Sequence, residues 1–303
     1  MTEPMLASSS EAERWSSLLL EQGWCVIPSL LPQTLVAGLD GDLERDFAET
    51  PFCEGGFYGA RTKRFGRLLS RSSRAVELVQ HPLVLEIVEA LLKPWCDTIQ
   101  LNLTQALALH PGAPPQLPHR DQDMWRGTIG EIEYLINVMW PFTPYTKRNG
   151  ATVIWPKSHG ARALEADPPP GEFPVELEPG SALLFLGSTL HGAGGNSSNE
   201  IRRGAIVSYC LGWLKPYENQ WLAYPPHIAR AFRPGLAALV GYRQHRPNLG
   251  NYEGQCPSVL LQSDIPERFA ATDALRPDQL DRLADFLRAQ DWPLEPANAA
   301  SNR

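Results

Sequence analysis

The sequence predicts a mostly β core with helices packed around it, and three observations carry that prediction. Between residues 97 and 215, short apolar segments rich in β-branched and aromatic residues alternate with Gly/Pro/Asn turns. Ahead of that stretch, apolar residues recur at helical spacing instead. After residue 215 mixed helical pieces return. Evenly spaced short strands of this kind read as an antiparallel sandwich or barrel, not as βαβ units.

The elements follow in order. Residues 11–23 (EAERWSSLLLEQG) read as a helix stopped by Gly23, and WCVIP follows as a short strand. Residues 32–48 read as helical, with Leu35, Leu39 and Leu43 four apart and Pro32 near the start. A third helical stretch covers 74–93, and His81-Pro82 should break it in two, because proline cannot continue the backbone ladder. The predicted strands are 98–109, 132–142, 150–156, 181–187 and 204–214. Asn149-Gly150 and Pro179-Gly180 are turn signals placed just before two of them. Residues 166–174 (ADPPPGEFP) are too rich in proline for a regular element and read as a rim loop. Helical pieces are expected at 225–240 and, with amphipathic spacing, at 277–290, before a frayed tail, PANAASNR.

The chain has 303 residues, 43% of them hydrophobic and 20% charged, enough apolar material for a large core. It reads as one domain over 1–303: a helical part to about 96, the β core over 97–215, and a helical part over 216–295. The formal net charge of -7 argues against nucleic acid or an anionic membrane surface as a general partner. The five cysteines are odd in number, widely spaced and without a C-x-x-C pair, which argues against a disulfide framework and a structural zinc site. Cys25 and Cys210 lie within apolar runs and are expected as buried thiols. The N-terminal MTEPMLASSSEAERW lacks the apolar run of a signal peptide, and no stretch approaches ~18 uninterrupted apolar residues. A cytoplasmic location without a membrane span is therefore expected.

The chemistry is concentrated in three places. QLPHRDQDMW contains His119-Arg120-Asp121, and residues two apart on an extended strand face the same side. An H-x-D triplet alone is weak evidence. His191, 72 residues after His119 and at the end of SALLFLGSTL, supplies the second imidazole. Two neutral imidazoles and one carboxylate make the facial triad of non-haem Fe(II) oxygenases, which leaves three adjacent positions on the ion. A 2-oxo acid can chelate through two of them and O2 can take the third. The far carboxylate of 2-oxoglutarate then needs an anchor, for which a bidentate arginine is suited. Arg202 and Arg203 stand 11 and 12 residues after His191, and sequence reading leaves open which one faces inward. If GAGGNSSNEI is a hairpin loop, their strand returns beside the one bearing His191.

The sequence resembles the phytanoyl-CoA dioxygenase family of Fe(II)/2-oxoglutarate oxygenases. The resemblance is carried by PHRDQDMW (118–125), NGATVIWPKSHG (149–160) and LHGAGGNSSNEIRRGAIVSY (190–209). LLEQGWCVIPSLLP (19–32) and GWLKPYENQWL (212–222) add to it, the latter resembling natural-product members. The resemblance implies a double-stranded β-helix (jelly-roll, cupin-like) core, with metal ligands at His119, Asp121 and His191. It implies Arg202 rather than Arg203 as the 2-oxoglutarate anchor, and supporting roles for Gln105 and Thr152. Related halogenases replace the carboxylate ligand with a small residue to admit chloride; Asp121 is present here, which disfavours halogenation.

The implied activity is oxidation of an unactivated C–H bond in a small organic molecule, with 2-oxoglutarate converted to succinate and CO2. Hydroxylation leads the outcomes; desaturation, epimerisation and endoperoxide formation belong to the same chemistry. A non-catalytic jelly-roll binding protein and a zinc-dependent hydrolase or isomerase are the rival classes. The natural-product resemblance favours a free secondary metabolite over a coenzyme A thioester. His159 is a decoy that the resemblance places outside the ligand set, and His81, His110, His227 and His245 read as surface or capping residues. The stretch 57–74 holds six basic residues and reads as a solvated loop or a lid, with Arg61 and Lys63 as candidate anchors for a substrate anion. Trp125 and Trp213 are candidates for the pocket wall, whereas Trp140 and Trp155 read as core. The role of Gln122, which alternation turns away from His119, stays undecided.

Overall fold

A computed structural model describes residues 10–125, 127, 130–164 and 170–291. The first nine residues, part of the proline-rich loop at 166–174 and the tail PANAASNR lie outside the described residues. The chain divides into two compact units, Met1–Gly241 and Tyr242–Arg303.

In the first unit, α1 (Glu11–Gln22) is opened by Ser10, which with Glu13 forms a reciprocal capping box. Gly23 ends it at a φ of 84°, and a Cβ there would sit 2.6 Å from the His159 ring, so only glycine fits. After β1 (Trp24–Ile27), the helical stretch at 32–48 is two pieces, α2 (Gln33–Asp42) and α3 (Glu44–Glu49), joined at the buried Leu43. The 74–93 stretch is likewise split, into α4 (Ala75–Val79) and α5 (Pro82–Leu92), with His81 in extended conformation ahead of Pro82. Between α3 and α4 lies β2 (Thr62–Phe65), a strand inside the segment the sequence reads as a loop or lid.

The core strands are β3 (Ile99–Leu109), β4 (Leu135–Pro141), β5 (Thr152–Ile154), β6 (Phe173–Pro174), β7 (Ala182–Leu186), β8 (His191–Ala193) and β9 (Arg202–Leu211). They form a six-stranded antiparallel sheet in the order β1-β7-β4-β9-β3-β2 and a three-stranded sheet β6-β5-β8. Leu107, Met139, Leu183 and Phe185 of the large sheet pack in one buried cluster with Ile154 of the small one. Alternation then sorts the long β9. Its outward Tyr209 donates to the Val79 carbonyl at the end of α4 (2.7 Å), while Ile206 meets the core between the sheets. Short helices α6 (Gln220–Ala223), α7 (Pro226–Ala229) and α8 (Pro234–Leu239) complete this unit, the last two within the helical stretch expected at 225–240.

Two expectations about connectivity are corrected. His191 does not end the strand 181–187: β7 stops at Leu186, a turn follows, and His191 opens β8 in the other sheet. Nor does the arginine strand lie beside His191, because β9 pairs with β3 and β4 while β8 pairs with β5. The two therefore meet across the space between the sheets. In the second unit, a 3-10 turn at Pro257–Leu261 and α9 (Pro277–Ala289) are the regular elements, with bridges pairing His245 with Leu249 and Tyr252 with Gln255. No helix of the described residues is long and apolar enough to cross a membrane.

Candidate metal centre

His119 is not within a strand but forms an isolated antiparallel bridge with His191, each backbone N–H donating to the other's carbonyl at 2.9 and 3.0 Å. Asp121 opens a 3-10 turn instead of continuing a strand. Arg120 between them is extended (φ -117°, ψ 126°), which preserves the two-apart geometry and brings both side chains to one side. The ligand atoms of His119, Asp121 and His191 all lie within 4.8 Å of one another. His119 Nε2 is 3.4 Å from Asp121 Oδ1, and His191 Nε2 is 3.6 Å from Asp121 Oδ2.

Each histidine is oriented through its other nitrogen. His119 Nδ1 pairs with the Leu117 carbonyl at 2.8 Å and His191 Nδ1 with the Thr189 carbonyl at 3.0 Å. A carbonyl can only accept, so both Nδ1 atoms carry a proton, which leaves Nε2 as the nitrogen that faces the carboxylate and could ligate a metal. Phe57 edges onto His119 and Phe185 lies against His191, with ring centroids 4.8 and 4.6 Å away. Burial pushes the Asp121 carboxyl up, but the two imidazoles and an amide hydrogen bond from Asn137 outweigh it and bring it down to about 2. Burial lowers the pKa of His191, against the pull of Asp121. A carboxylate that stays ionised beside a histidine held neutral is the donor set a divalent ion needs.

These residues line one cavity of about 420 Å³. At its floor Arg202 is 1% exposed, donates to the Gly150 carbonyl and lies 4.3 Å over the Tyr145 ring. Its Nε has no partner. A buried guanidinium in the lining of a cavity, with one donor unpartnered, fits an anionic guest. Gly150 can offer that carbonyl because it turns at a φ of 89°, with its Cα face pressed on Gly194; a Cβ would sit 2.6 Å from the Gly194 oxygen. Thr152 and Gln105 line the same cavity. Arg203 faces the other way, paired with Glu44 and Asp40.

Four candidates are not in the cavity wall. Lys63, opposite Ala108 on the outward face of β2, donates to the carbonyls of Phe47 and Ala48 at 2.8 and 3.0 Å. Arg61 donates to the Pro111 carbonyl. Trp125 and Trp213 turn their indole N–H groups to the carbonyls of Lys215 (2.9 Å) and Trp95 (3.0 Å), packing on either side of Tyr134. Beyond the triad, Arg202, Gln105 and Thr152, the cavity is lined by residues that sequence reading gave no site role. Arg64, one residue past Lys63, points in and donates to Gln105 Oε1 at 3.1 Å. Tyr58 and Tyr217 hydrogen-bond hydroxyl to hydroxyl in its wall. A strand at 62–65 would have separated Arg64 from Lys63 by parity; nothing in the sequence brings Tyr58 to Tyr217. Gln122 is wholly buried and outside the cavity wall, and His159 is held by the Leu20 carbonyl at 2.7 Å.

The phytanoyl-CoA dioxygenase (PhyH) family model matches residues 19–204, more than half of the chain and all three triad residues. The chain belongs to the phytanoyl-CoA dioxygenase family. It is a non-haem iron dioxygenase that depends on 2-oxoglutarate, with O2 as co-substrate. Its relatives include the dioxygenase aneA of Aspergillus aculeatus, 30% identical over 254 residues that cover 78% of this chain and 85% of that one. The dioxygenase trt7 of Aspergillus terreus is 29% identical, over 75% of this chain and 83% of the relative. The fold is shared with the 2-oxoglutarate-dependent epimerase SnoN from nogalamycin biosynthesis (TM-score 0.57, 20% identity, 68% of this chain and 86% of that one). It is also shared with HygX from Streptomyces hygroscopicus, solved with nickel, 2-oxoglutarate and hygromycin B (TM-score 0.54, 14% identity, 68% and 89%). These likenesses establish the jelly-roll core that the sequence resemblance implies.

Proposed function

We propose that this family member hydroxylates an unactivated C–H bond of a small natural product, with His119, Asp121 and His191 holding Fe(II) and Arg202 anchoring 2-oxoglutarate. The observation that carries the reading is the pairing, in one cavity, of the two-histidine, one-carboxylate cluster with a buried guanidinium whose Nε is idle. The natural-product assignment draws on the relatives: SnoN is titled as an enzyme of nogalamycin biosynthesis, and HygX was solved with hygromycin B.

Fe(II) and 2-oxoglutarate, when bound, supply the O2 activation and C–H cleavage that no side chain here can perform. The chain positions them. Asp121 contributes one negative charge and doubly anionic 2-oxoglutarate two, so with the ion the centre carries about -1 without a cation from the protein. Arg202 offsets that charge where burial makes it most costly. Thr152 and Gln105 add neutral polar contacts on the same walls. Phe57 and Phe185, packed on the two imidazoles, limit water around them. Asp121 also fills the position that a halogenase leaves to chloride, so a hydroxyl is the group delivered.

The test is anaerobic loading of the purified protein with Fe(II) and 2-oxoglutarate, followed by air and measurement of succinate. Succinate should form, and Asp121→Ala or Arg202→Ala should abolish it. A wild type that neither binds 2-oxoglutarate nor forms succinate would overturn the proposal. A screen of candidate natural products for the gain of one oxygen atom then separates hydroxylation from desaturation or epimerisation.

A further inference from the structure

The three members of the candidate metal cluster are not held alike. His119 and His191 are fixed twice, by mutual backbone pairing and by their Nδ1 bonds to carbonyls. Asp121 has neither restraint: it starts a 3-10 turn, with no strand partner to set the direction of its side chain. What reaches it from behind is Asn137, on the central strand β4, whose Nδ2 donates to Asp121 Oδ2 at 2.8 Å.

We propose that Asn137 is a positioning residue: its amide occupies one oxygen of Asp121 and aims the other at the metal ion. The proposal rests on the reading of His119, Asp121 and His191 as metal ligands. Asn137 is 0% exposed in a strand whose other residues, Leu135, Ile136, Val138, Met139, Trp140 and Pro141, are all apolar and buried. Its Oδ1 is buried with no partner. An apolar residue of the same size would avoid that cost, so packing alone does not account for an amide here. The orientation of the amide is also forced. A flip would set its oxygen against a carboxylate oxygen, acceptor facing acceptor.

Polar side chains continue beside Asn137 on the neighbouring strands. Asn137 is in register with Ser208 of β9, whose Oγ accepts from Asn102 Nδ2 at 3.0 Å. Asn102 Oδ1 in turn accepts from the backbone N–H of Tyr217 at 2.7 Å, so a polar row crosses the otherwise apolar sheet interior from Asp121 to the Tyr217 segment of the cavity wall. A carboxylate with one oxygen committed to an amide offers the ion a single donor. Room would then be left on a bound ion for the co-substrate and O2.

The experiment is anaerobic titration of the metal-free protein with Co(II), read by visible absorption and by affinity. Three variants are compared with wild type: Asp121→Ala, Asn137→Leu and Asn137→Ser. Leucine is close in volume but has no donor. A packing role would leave Co(II) affinity and the absorption bands unchanged in Asn137→Leu. The positioning role predicts affinity 10- to 100-fold weaker and altered bands, with the thermal midpoint of the metal-free protein kept. Should Asn137→Leu fail to fold, Asn137→Ser is read by the same two criteria. Wild-type affinity and bands in either folded variant overturn the proposal. A wild type that binds no Co(II), or an Asp121→Ala that binds it as well as wild type, overturns the ligand reading instead and the proposal with it.

Discussion

Arg202 and Arg203 are consecutive on β9 and serve opposite faces of the six-stranded sheet: one lines the cavity and lies over Tyr145, the other pairs with Glu44 and Asp40 on the helical side. Their substitutions should therefore separate cleanly. Arg202→Ala should weaken 2-oxoglutarate binding about 100-fold, the order expected when a buried charged hydrogen-bonding partner is lost. Arg203→Ala should leave that affinity within twofold and lower stability by at most ~1 kcal/mol, since Glu44 is well exposed. Calorimetric titration of the metal-loaded protein with 2-oxoglutarate under nitrogen, with denaturant melts, reads both. Equal loss of affinity in the two variants would refute the assignment.

The same alternation divides Lys63 from Arg64. Arg64 pairs across with the cavity-lining Leu107, and Lys63 with the outward Ala108. Arg64 also touches Gln105, a candidate contact of the co-substrate, so it brings a second cation to the 2-oxoglutarate region of the cavity. Arg64→Ala should raise the 2-oxoglutarate dissociation constant roughly tenfold, the loss of one charged hydrogen bond. Lys63→Ala should not. Retained wild-type affinity in Arg64→Ala would place that guanidinium on the substrate side instead.

These pairs also show what the sequence could reveal. Motif spacing brought His119, Asp121 and His191 together without any need of the strand boundaries, because a metal-ligand pattern is set by residue type and separation. Apolar periodicity located the long strands and the helix breaks at Gly23 and His81-Pro82, which are fixed by local backbone chemistry. It missed β2, β6 and β8, strands of two to four residues too short for a period to register. Losing β2 cost the parity that tells Arg64 from Lys63. Asn137 was legible in principle, as one amide in a run of buried apolar residues, but its partner lies 16 residues away and only the folded chain names it.

Tyr58 and Tyr217 come from segments 159 residues apart and join hydroxyls in the wall of the cavity, with the Arg64 guanidinium over the Tyr58 ring at 5.2 Å. Both rings are partly exposed, at 36% and 44%, so the pair stands where the cavity meets solvent. A bond there narrows the entrance and orders the ring nearest Phe57, which itself packs on His119. Tyr217→Phe removes one hydroxyl without changing ring volume. The expected result is a five- to tenfold rise in the KM of the organic substrate, the worth of about one hydrogen bond, with more succinate formed per product. The dissociation constant for 2-oxoglutarate should not move. A variant with unchanged KM and unchanged coupling would show that the bond only ornaments the surface.

Cys25, on β1 against β7, is 3% exposed, and burial pushes its thiol from 9.0 up to about 12. Cys210, buried in β9, is raised by burial as well. Two outcomes follow. The thiolate is the reactive form, so in the native protein Cys25 and Cys210 should resist iodoacetamide at pH 8.5, and both should be labelled after unfolding. The half-buried Cys53 and Cys96 should be labelled sooner. The second outcome concerns stability. Because the folded pKa of Cys25 lies above the unfolded one, its contribution is intact below pH 9. It is then lost progressively as pH rises toward 12, where the unfolded chain ionises and the folded one does not. Denaturant midpoints measured between pH 8 and 11 should fall for the wild type and fall less steeply for Cys25→Ala. Parallel slopes in the two proteins would mean that another buried acid, not this thiol, governs the alkaline limb.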